Sequence, residues 1–96
     1  IAGRHGAPVY AAADGKVITA RYESGEGNHI VIDHTRGVRT VYMHLSKFAV
    51  KEGDTVKKGE VIGYIGSTGR STGPHLHYEI LVWGRQVDPA DYLPDW

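Results

Sequence analysis

The chain has 96 residues, a length that suits a single domain. Its 11 Lys and Arg residues balance its 11 Asp and Glu residues, so it lacks the basic excess that a nucleic-acid-binding protein needs. It has no cysteine, which excludes disulfides and Cys-type zinc sites. No apolar run approaches the ~20 residues of a transmembrane helix. These features predict a globular domain with neither a nucleic-acid partner nor a transmembrane segment.

Short runs rich in Val, Ile, Thr and Tyr alternate with glycine along the whole chain. Such runs, bounded by turn residues at near-regular spacing, predict an all-β fold, either an antiparallel sheet or a sandwich. No amphipathic stretch of helical length is present. The predicted strands cover residues 9–11, 15–22, 28–33, 39–45, 61–65 and 75–82. A hairpin loop is predicted at 23–27 and a tight turn at 35–37.

The strand at 39–45 divides its side chains between two faces, because side chains alternate along a strand. One face is mostly apolar and is predicted to pack on the core; it carries Arg39, Val41, Met43 and Leu45. The other face carries Thr40, Tyr42 and His44. This pattern places His44 at the polar end of the strand.

The strand at 75–82 has the sharpest pattern. Its apolar face carries Leu76, Tyr78, Ile80 and Val82, and its polar face carries His75, His77 and Glu79. An i, i+2 spacing puts the Cα atoms of two histidines roughly 6.5–7 Å apart on one face. Two such imidazoles can converge on one metal ion, or one can bind a metal while the other acts as a base. A plain polar surface is the third interpretation.

Three further histidines have no such companions and are interpreted as surface or loop residues: His5, His29 and His34. His34 follows a strand end, where a hydrogen-bonding role accounts for it.

Taken in order along the chain, several segments resemble the lysostaphin/LytM-type zinc metallopeptidases, the M23 peptidases. The most specific are Tyr42-Met43-His44-Leu45-Ser46 and the run from Ser71 through Gly73-Pro74 to His75-Leu76-His77. The matching segments are residues 6–17, 28–34, 41–46, 50–66, 69–80, 87–89 and 92–93. The resemblance covers nearly the whole chain and implies a lysostaphin-like β fold with long Gly-rich loops around a groove.

The resemblance implies a zinc-dependent endopeptidase that cuts the peptide cross-links of bacterial peptidoglycan, in the periplasm or at the cell wall. It makes His77 a zinc ligand, and it makes His44 and His75 the catalytic histidines that flank the water activated by the metal. Glu79 is a candidate to orient His77, against solvent exposure or pairing with an arginine. Ser71, Thr72 and Asn28 are candidates for the substrate groove, although the two hydroxyls equally suit a turn cap.

The sequence departs from the family at its start. The other two zinc ligands of the family form a His-x-x-x-Asp motif, which is expected just before Ile1. The 1–96 domain is therefore expected to be truncated at its N-terminal edge and inactive alone, with upstream domains or a pro-segment possible in the parent protein. His5 and Asp14 are weaker candidates to replace the pair.

Two other functions stay open. The first is a metal-free, degenerate LytM-like module that regulates or scaffolds other cell-wall enzymes. The second is a biotinyl/lipoyl-like carrier domain modified at Lys57 or Lys58.

Overall fold

Runs of β-branched and aromatic residues form strands throughout the part of the chain that the structure, a computed structural model, describes: residues 5–66 and 77–88. Within these ranges every strand pairing is antiparallel and no helix occurs, which confirms the predicted all-β fold. None of the described segments is therefore a helix that could cross a membrane. The strands are β1 Pro8–Tyr10, β2 Gly15–Glu23, β3 Gly27–Asp33, β4 Val38–Phe48, β5 Thr55–Val56, β6 Val61–Ile65, β7 His77–Val82 and β8 Arg85–Val87.

The predicted strands agree with the observed ones to within a few residues, and the hairpin loop and the tight turn lie where expected. Two short strands, β5 and β8, were not predicted. β8 follows a two-residue turn in which Trp83 and Gly84 both have positive φ, 52° and 79°. Two such residues make the hairpin turn that matches strand twist, and a tryptophan in the first position hides the signal. The first two residues of the predicted strand 75–82 lie outside the described residues.

Strand β4 organises the sheet because it is paired along both edges. One edge pairs with β3, and the sheet order runs β1-β6-β4-β3-β2-β5. The other edge is shared: residues 38–43 pair with β7, and residues 45–48 pair with β6. The sheet therefore forks at His44. Next to this fork Gly66 approaches Ser46 so closely that a Cβ would lie 2.5 Å from the Ser46 amide nitrogen, so only glycine fits.

The predicted assignment of faces in β4 is wrong for Thr40 and Tyr42. Both are almost fully buried, at 0% and 1% exposure, and they pair with the core residues Ile32 and Ile30. Leu45 was correctly predicted in the core, but it arrives there on the same face as Tyr42 because the strand contains one extra residue between them. The core cluster consists of Val9, Ala11, Val17, Ile30, Ile32, Tyr42, Leu45, Val56, Ile62 and Ile65.

The remaining members of the predicted core face behave differently from one another. Arg39 is exposed, Met43 is half-buried, and Val41 is buried outside the core cluster. In β7 the predicted faces are confirmed for the described residues. Ile80 is buried and Tyr78 packs against the core, on the face opposite His77.

A chain of hydrogen bonds explains how polar groups lie inside this core. His34 Nδ1 lies 2.7 Å from the Asp14 carbonyl, which only accepts, so Nδ1 carries the proton and Nε2 accepts from the Thr40 hydroxyl at 2.7 Å. Thr40 in turn accepts from the Tyr42 hydroxyl at 2.7 Å, and that hydroxyl accepts from the Ala12 amide at 3.0 Å. Every donor finds an acceptor, so burial of Tyr42 leaves no polar group unsatisfied.

Replacing Tyr42 with Phe is expected to lower the free energy of unfolding by about 1–3 kcal/mol, because the half-buried Ala12 amide and the buried Thr40 hydroxyl each lose a partner. Urea denaturation of the variant measures the loss. Tyr22→Phe, at a tyrosine that is 60% exposed, is the matched control and is expected to change stability by less than about 0.5 kcal/mol. Equal losses in the two variants would contradict the role given to the buried hydroxyl.

Candidate active site

His44 lies at a β-bulge, where β4 has one residue more than β3. Asn28 pairs with Leu45 and Ile30 pairs with Tyr42, so two residues of β4 oppose one residue of β3. His44 takes up the irregularity with a left-handed backbone, φ 63°, and its amide donates to the Glu26 carbonyl at 2.8 Å. A non-glycine residue in this conformation is costly and is characteristic of functional sites. The bulge sets the direction of the His44 side chain.

The bulge brings His44 opposite His77, at the start of β7. The two ring centroids lie 6.0 Å apart with their planes inclined by 59°. His44 is buried, with 7% exposure, whereas the His77 side chain is 45% exposed. One imidazole therefore forms the wall and the other the rim of a single site open to solvent. The predicted site residues His44 and His77 are brought together.

Glu79 contacts His77 on the polar face of β7, with its carboxylate 3.1 Å from His77 Nε2. A carboxylate only accepts, so Nε2 carries a proton and the lone pair of the neutral ring is on Nδ1. Glu79 therefore contacts a histidine and is mostly shielded from solvent, with 19% side-chain exposure. The contact leaves His77 Nδ1 as the nitrogen able to bind a metal ion, which is the arrangement that an orienting carboxylate gives to a ligand histidine.

Two tyrosines that are close to the histidines in sequence, Tyr42 and Tyr78, lie on the core side of the sheet. The rings of Tyr42 and Tyr78 are 5.4 Å apart and tilted by 50°. Burial raises the pKa of Tyr42 despite its hydrogen bonds to Thr40 and Ala12, which act in the opposite direction. Burial, with a further contribution from Tyr42, raises the pKa of Tyr78 to about 12. Both phenols are neutral near pH 7, as an ordinary tyrosine already is, and the raised pKa extends that neutrality to a more alkaline pH.

Asn28, a predicted groove residue, uses its amide to hold the backbone beyond the bulge. Its Nδ2 donates to the Leu45 carbonyl at 3.0 Å and lies 3.4 Å from the Ser46 carbonyl. It thus fixes the strand just after His44, and a role in substrate binding stays a prediction. The other predicted site residues, His75, Ser71 and Thr72, lie outside the described residues.

The interpretation of His29 as a surface or loop residue is wrong. Its ring is buried, with 5% exposure, between the Glu23 carboxylate and the Gly27 carbonyl. The sequence signal was the i, i+3 and i+6 spacing of Glu23, Glu26 and His29 across a tight hairpin, which folds all three to one end. The hydrogen-bonding role predicted for His34 is confirmed.

Comparison with known proteins assigns the chain to a peptidase family. A model described as Peptidase family M23 matches residues 1–89. The peptidoglycan DD-endopeptidase ShyB of Vibrio cholerae serotype O1 is 53% identical over 83 residues, which are 86% of this chain and 20% of that protein. A crystal structure of a zinc-containing peptidase from Vibrio cholerae has 51% identity and a TM-score of 0.87, over 90% of this chain and 26% of that one.

The catalytic domain of lysostaphin, an antimicrobial peptidase from Staphylococcus simulans, is similar to nearly the whole of this chain. It superposes with a TM-score of 0.88 at 42% identity and covers 96% of this chain and 74% of that one. The structure and these matches define a lysostaphin-like metallopeptidase domain, and the chain belongs to peptidase family M23. The resemblance found in the sequence is confirmed, and the carrier-domain alternative is wrong for the fold. The chain spans about a fifth of the length of the curated relative ShyB.

The left-handed backbone of His44 is expected to reverse the usual order of glycine and alanine. Of two variants that both lack the imidazole, His44→Gly is expected to be more stable than His44→Ala by about 0.5–1 kcal/mol, because only glycine adopts φ 63° without strain. Urea denaturation measures the difference. The same pair at Met43, one residue earlier, is the control and is expected to favour alanine. Greater stability of the alanine variant at both positions would contradict the bulge geometry.

Proposed function

We propose that this chain is the catalytic domain of a zinc-dependent endopeptidase that cleaves the peptide cross-links of bacterial peptidoglycan. The observation that carries the proposal is the convergence of His44 and His77 at the fork of the sheet, in a chain of a peptidase family. The name of the relative ShyB, a peptidoglycan DD-endopeptidase, supports the D,D-cross-link as the bond that is cut. Because that substrate lies outside the cytoplasm, the periplasm or the cell wall is the proposed location.

One described side chain is suited to hold a zinc ion. His77 offers Nδ1, since Glu79 fixes the proton on Nε2, and imidazole nitrogen is a preferred zinc ligand. When bound, zinc polarises the scissile carbonyl and lowers the pKa of the attacking water toward neutrality. His77 is thus the proposed ligand, and Glu79 is a positioning residue that keeps its ring in one tautomer and orientation.

His44 is the proposed proton-transferring residue. Its ring lies beside His77 and is held by the bulge and by the hydrogen bond from its amide to Glu26. As a neutral imidazole it accepts a proton from the attacking water, and as an imidazolium it stabilises the developing oxyanion. His75, which has the second such role by resemblance to the family, is proposed as its partner. Ser71, Thr72 and Asn28 are proposed to border the groove in which the peptide binds.

The full-length protein is expected to release muropeptide monomers from cross-linked peptidoglycan, to lose this activity in EDTA and to regain it with zinc. His44→Ala and His75→Ala are each expected to lower kcat about 10²- to 10⁴-fold, the usual loss when a general acid or base is removed. Chromatography of the released muropeptides measures the rate. Arg85→Ala, an exposed residue of β8 that pairs with Val82 at the opposite end of β7 from His77, is the control and is expected to retain activity.

Full activity after the metal has been removed would contradict the zinc mechanism. The regulatory-module alternative gives a different pattern in the same experiment. Under it, the protein would fail to cut peptidoglycan by itself, and any activation of a partner hydrolase would survive His75→Ala.

Glu79 is expected to act through His77 and not on the substrate. Glu79→Ala should therefore raise the zinc concentration that restores half-maximal activity about 10- to 100-fold, whereas the KM for the peptide stays unchanged. The zinc requirement of Glu79→Gln should lie between those of Glu79→Ala and the wild type, since the amide oxygen of glutamine still accepts from Nε2. A change in KM at saturating zinc, with no change in the zinc requirement, would contradict the positioning role.

A further inference from the structure

A second group of metal-ligating side chains lies at the hairpin between β2 and β3, apart from the histidine pair. It consists of Glu23, Glu26 and His29, whose ligand atoms all lie within 4.8 Å of one another. Glu23 ends β2, Glu26 lies in the loop and His29 lies in β3. The His29 side chain is 6% exposed, whereas that of Glu23 is 52% exposed. The group is therefore anchored in the protein on one side and open to solvent on the other.

The protons of His29 are placed by its neighbours. Nδ1 lies 3.3 Å from the Gly27 carbonyl oxygen, which only accepts, so Nδ1 carries a hydrogen. Nε2 lies 3.2 Å from the Glu23 carboxylate, which also only accepts. A ring protonated on Nδ1 turns the Nε2 lone pair toward that carboxylate, and a metal ion between the two atoms would be bound by both of them.

The charge of the group suits a divalent ion. Glu23 and Glu26 together carry two negative charges, which one divalent ion neutralises. Among residues 5–66 and 77–88, no lysine or arginine forms an ion pair with either glutamate, and the nearby Arg21 is paired with Glu52 at 3.2 Å. A divalent cation with a neutral imidazole and two carboxylates leaves the group without net charge.

The spacing also suits a transition metal. Ligand bonds of ~2.0–2.2 Å place neighbouring ligands of a tetrahedral zinc ion about 3.3 Å apart. His29 Nε2 and Glu23 Oε1 are already separated by 3.2 Å, and Glu26 needs only a small rotation, since all three ligand atoms lie within 4.8 Å. One imidazole and two carboxylates form a mixed N and O set that zinc and its neighbours in the first transition row accept.

We propose that Glu23, Glu26 and His29 bind a divalent transition-metal ion of the zinc class, distinct from the ion proposed at His77. This site is connected to His44 through the backbone, because the Glu26 carbonyl accepts a hydrogen bond from the His44 amide at 2.8 Å. A metal that ties Glu26 to β2 and β3 therefore fixes the loop that supports the bulge. The site is a structural clamp on the hairpin, and its existence does not depend on the proposed peptidase activity.

Calorimetric titration of the metal-free, full-length protein with zinc chloride tests the proposal. The wild type is expected to bind two zinc ions. Glu26→Gln and His29→Gln should each bind one and keep the ion at His77, and His77→Ala should bind one and keep the ion at the hairpin. Glu60→Gln removes a loop carboxylate elsewhere and is the matched control, expected to bind two.

Two readouts keep the test decisive. If a variant at Glu26 or His29 fails to fold, Glu23→Gln replaces it, because that side chain is half exposed at a strand end. In nitrogen-15 spectra of the His77→Ala protein, zinc is expected to shift His29 Nε2 and to leave His34 unchanged. Absence of zinc binding in His77→Ala, or a titration of His29 by pH alone with no response to zinc, would overturn the hairpin site. The zinc ion proposed at His77 would stand in either case.

Discussion

The left-handed backbone at His44 is the constraint on which the rest of the site depends. β4 cannot keep regular alternation and also pair with β3 on one edge and with both β6 and β7 on the other. One extra residue resolves the conflict: it returns Leu45 to the core face and turns His44 toward β7. The strain of a non-glycine residue at φ 63° is retained because the strands on both sides determine it. The histidine pair is a consequence of how the sheet forks.

Around this point the sheet supplies support that is polar but uncharged. Hydrogen bonds run from His34 through Thr40 to Tyr42 in the core, and burial raises the pKa of Tyr78. Asn28 holds the backbone just after the bulge. At the histidine pair, the Glu79 carboxylate determines which nitrogen of His77 carries the hydrogen. The hairpin at Glu26 then supports His44 from the other side through one backbone hydrogen bond.

Much of the fold and part of the site could be predicted from the sequence. The all-β class, the strands and the polar face of β7 follow from alternation and turn residues, which are local signals. The faces of β4 could not be predicted, because a bulge changes the alternation and is set by pairing with three other strands. The hydroxyls of Tyr42 and Thr40 made both residues resemble surface residues in the sequence, but partners distant in sequence satisfy those hydroxyls in the core. His29 was misjudged for the same reason, since its burial depends on the turn that brings Glu23 and Gly27 around it.

One metal ion is expected at the fork of the sheet, where His44 and His77 lie side by side. The most direct test is a crystal structure of the full-length protein with zinc, using anomalous scattering at the zinc edge to place the ion. An anomalous peak is expected at His77 Nδ1, with the His44 ring facing it from a left-handed backbone and the Glu79 carboxylate accepting from Nε2. Absence of an anomalous peak at His77, or a regular β4 in which the His44 ring faces away from that peak, would contradict the proposed zinc site.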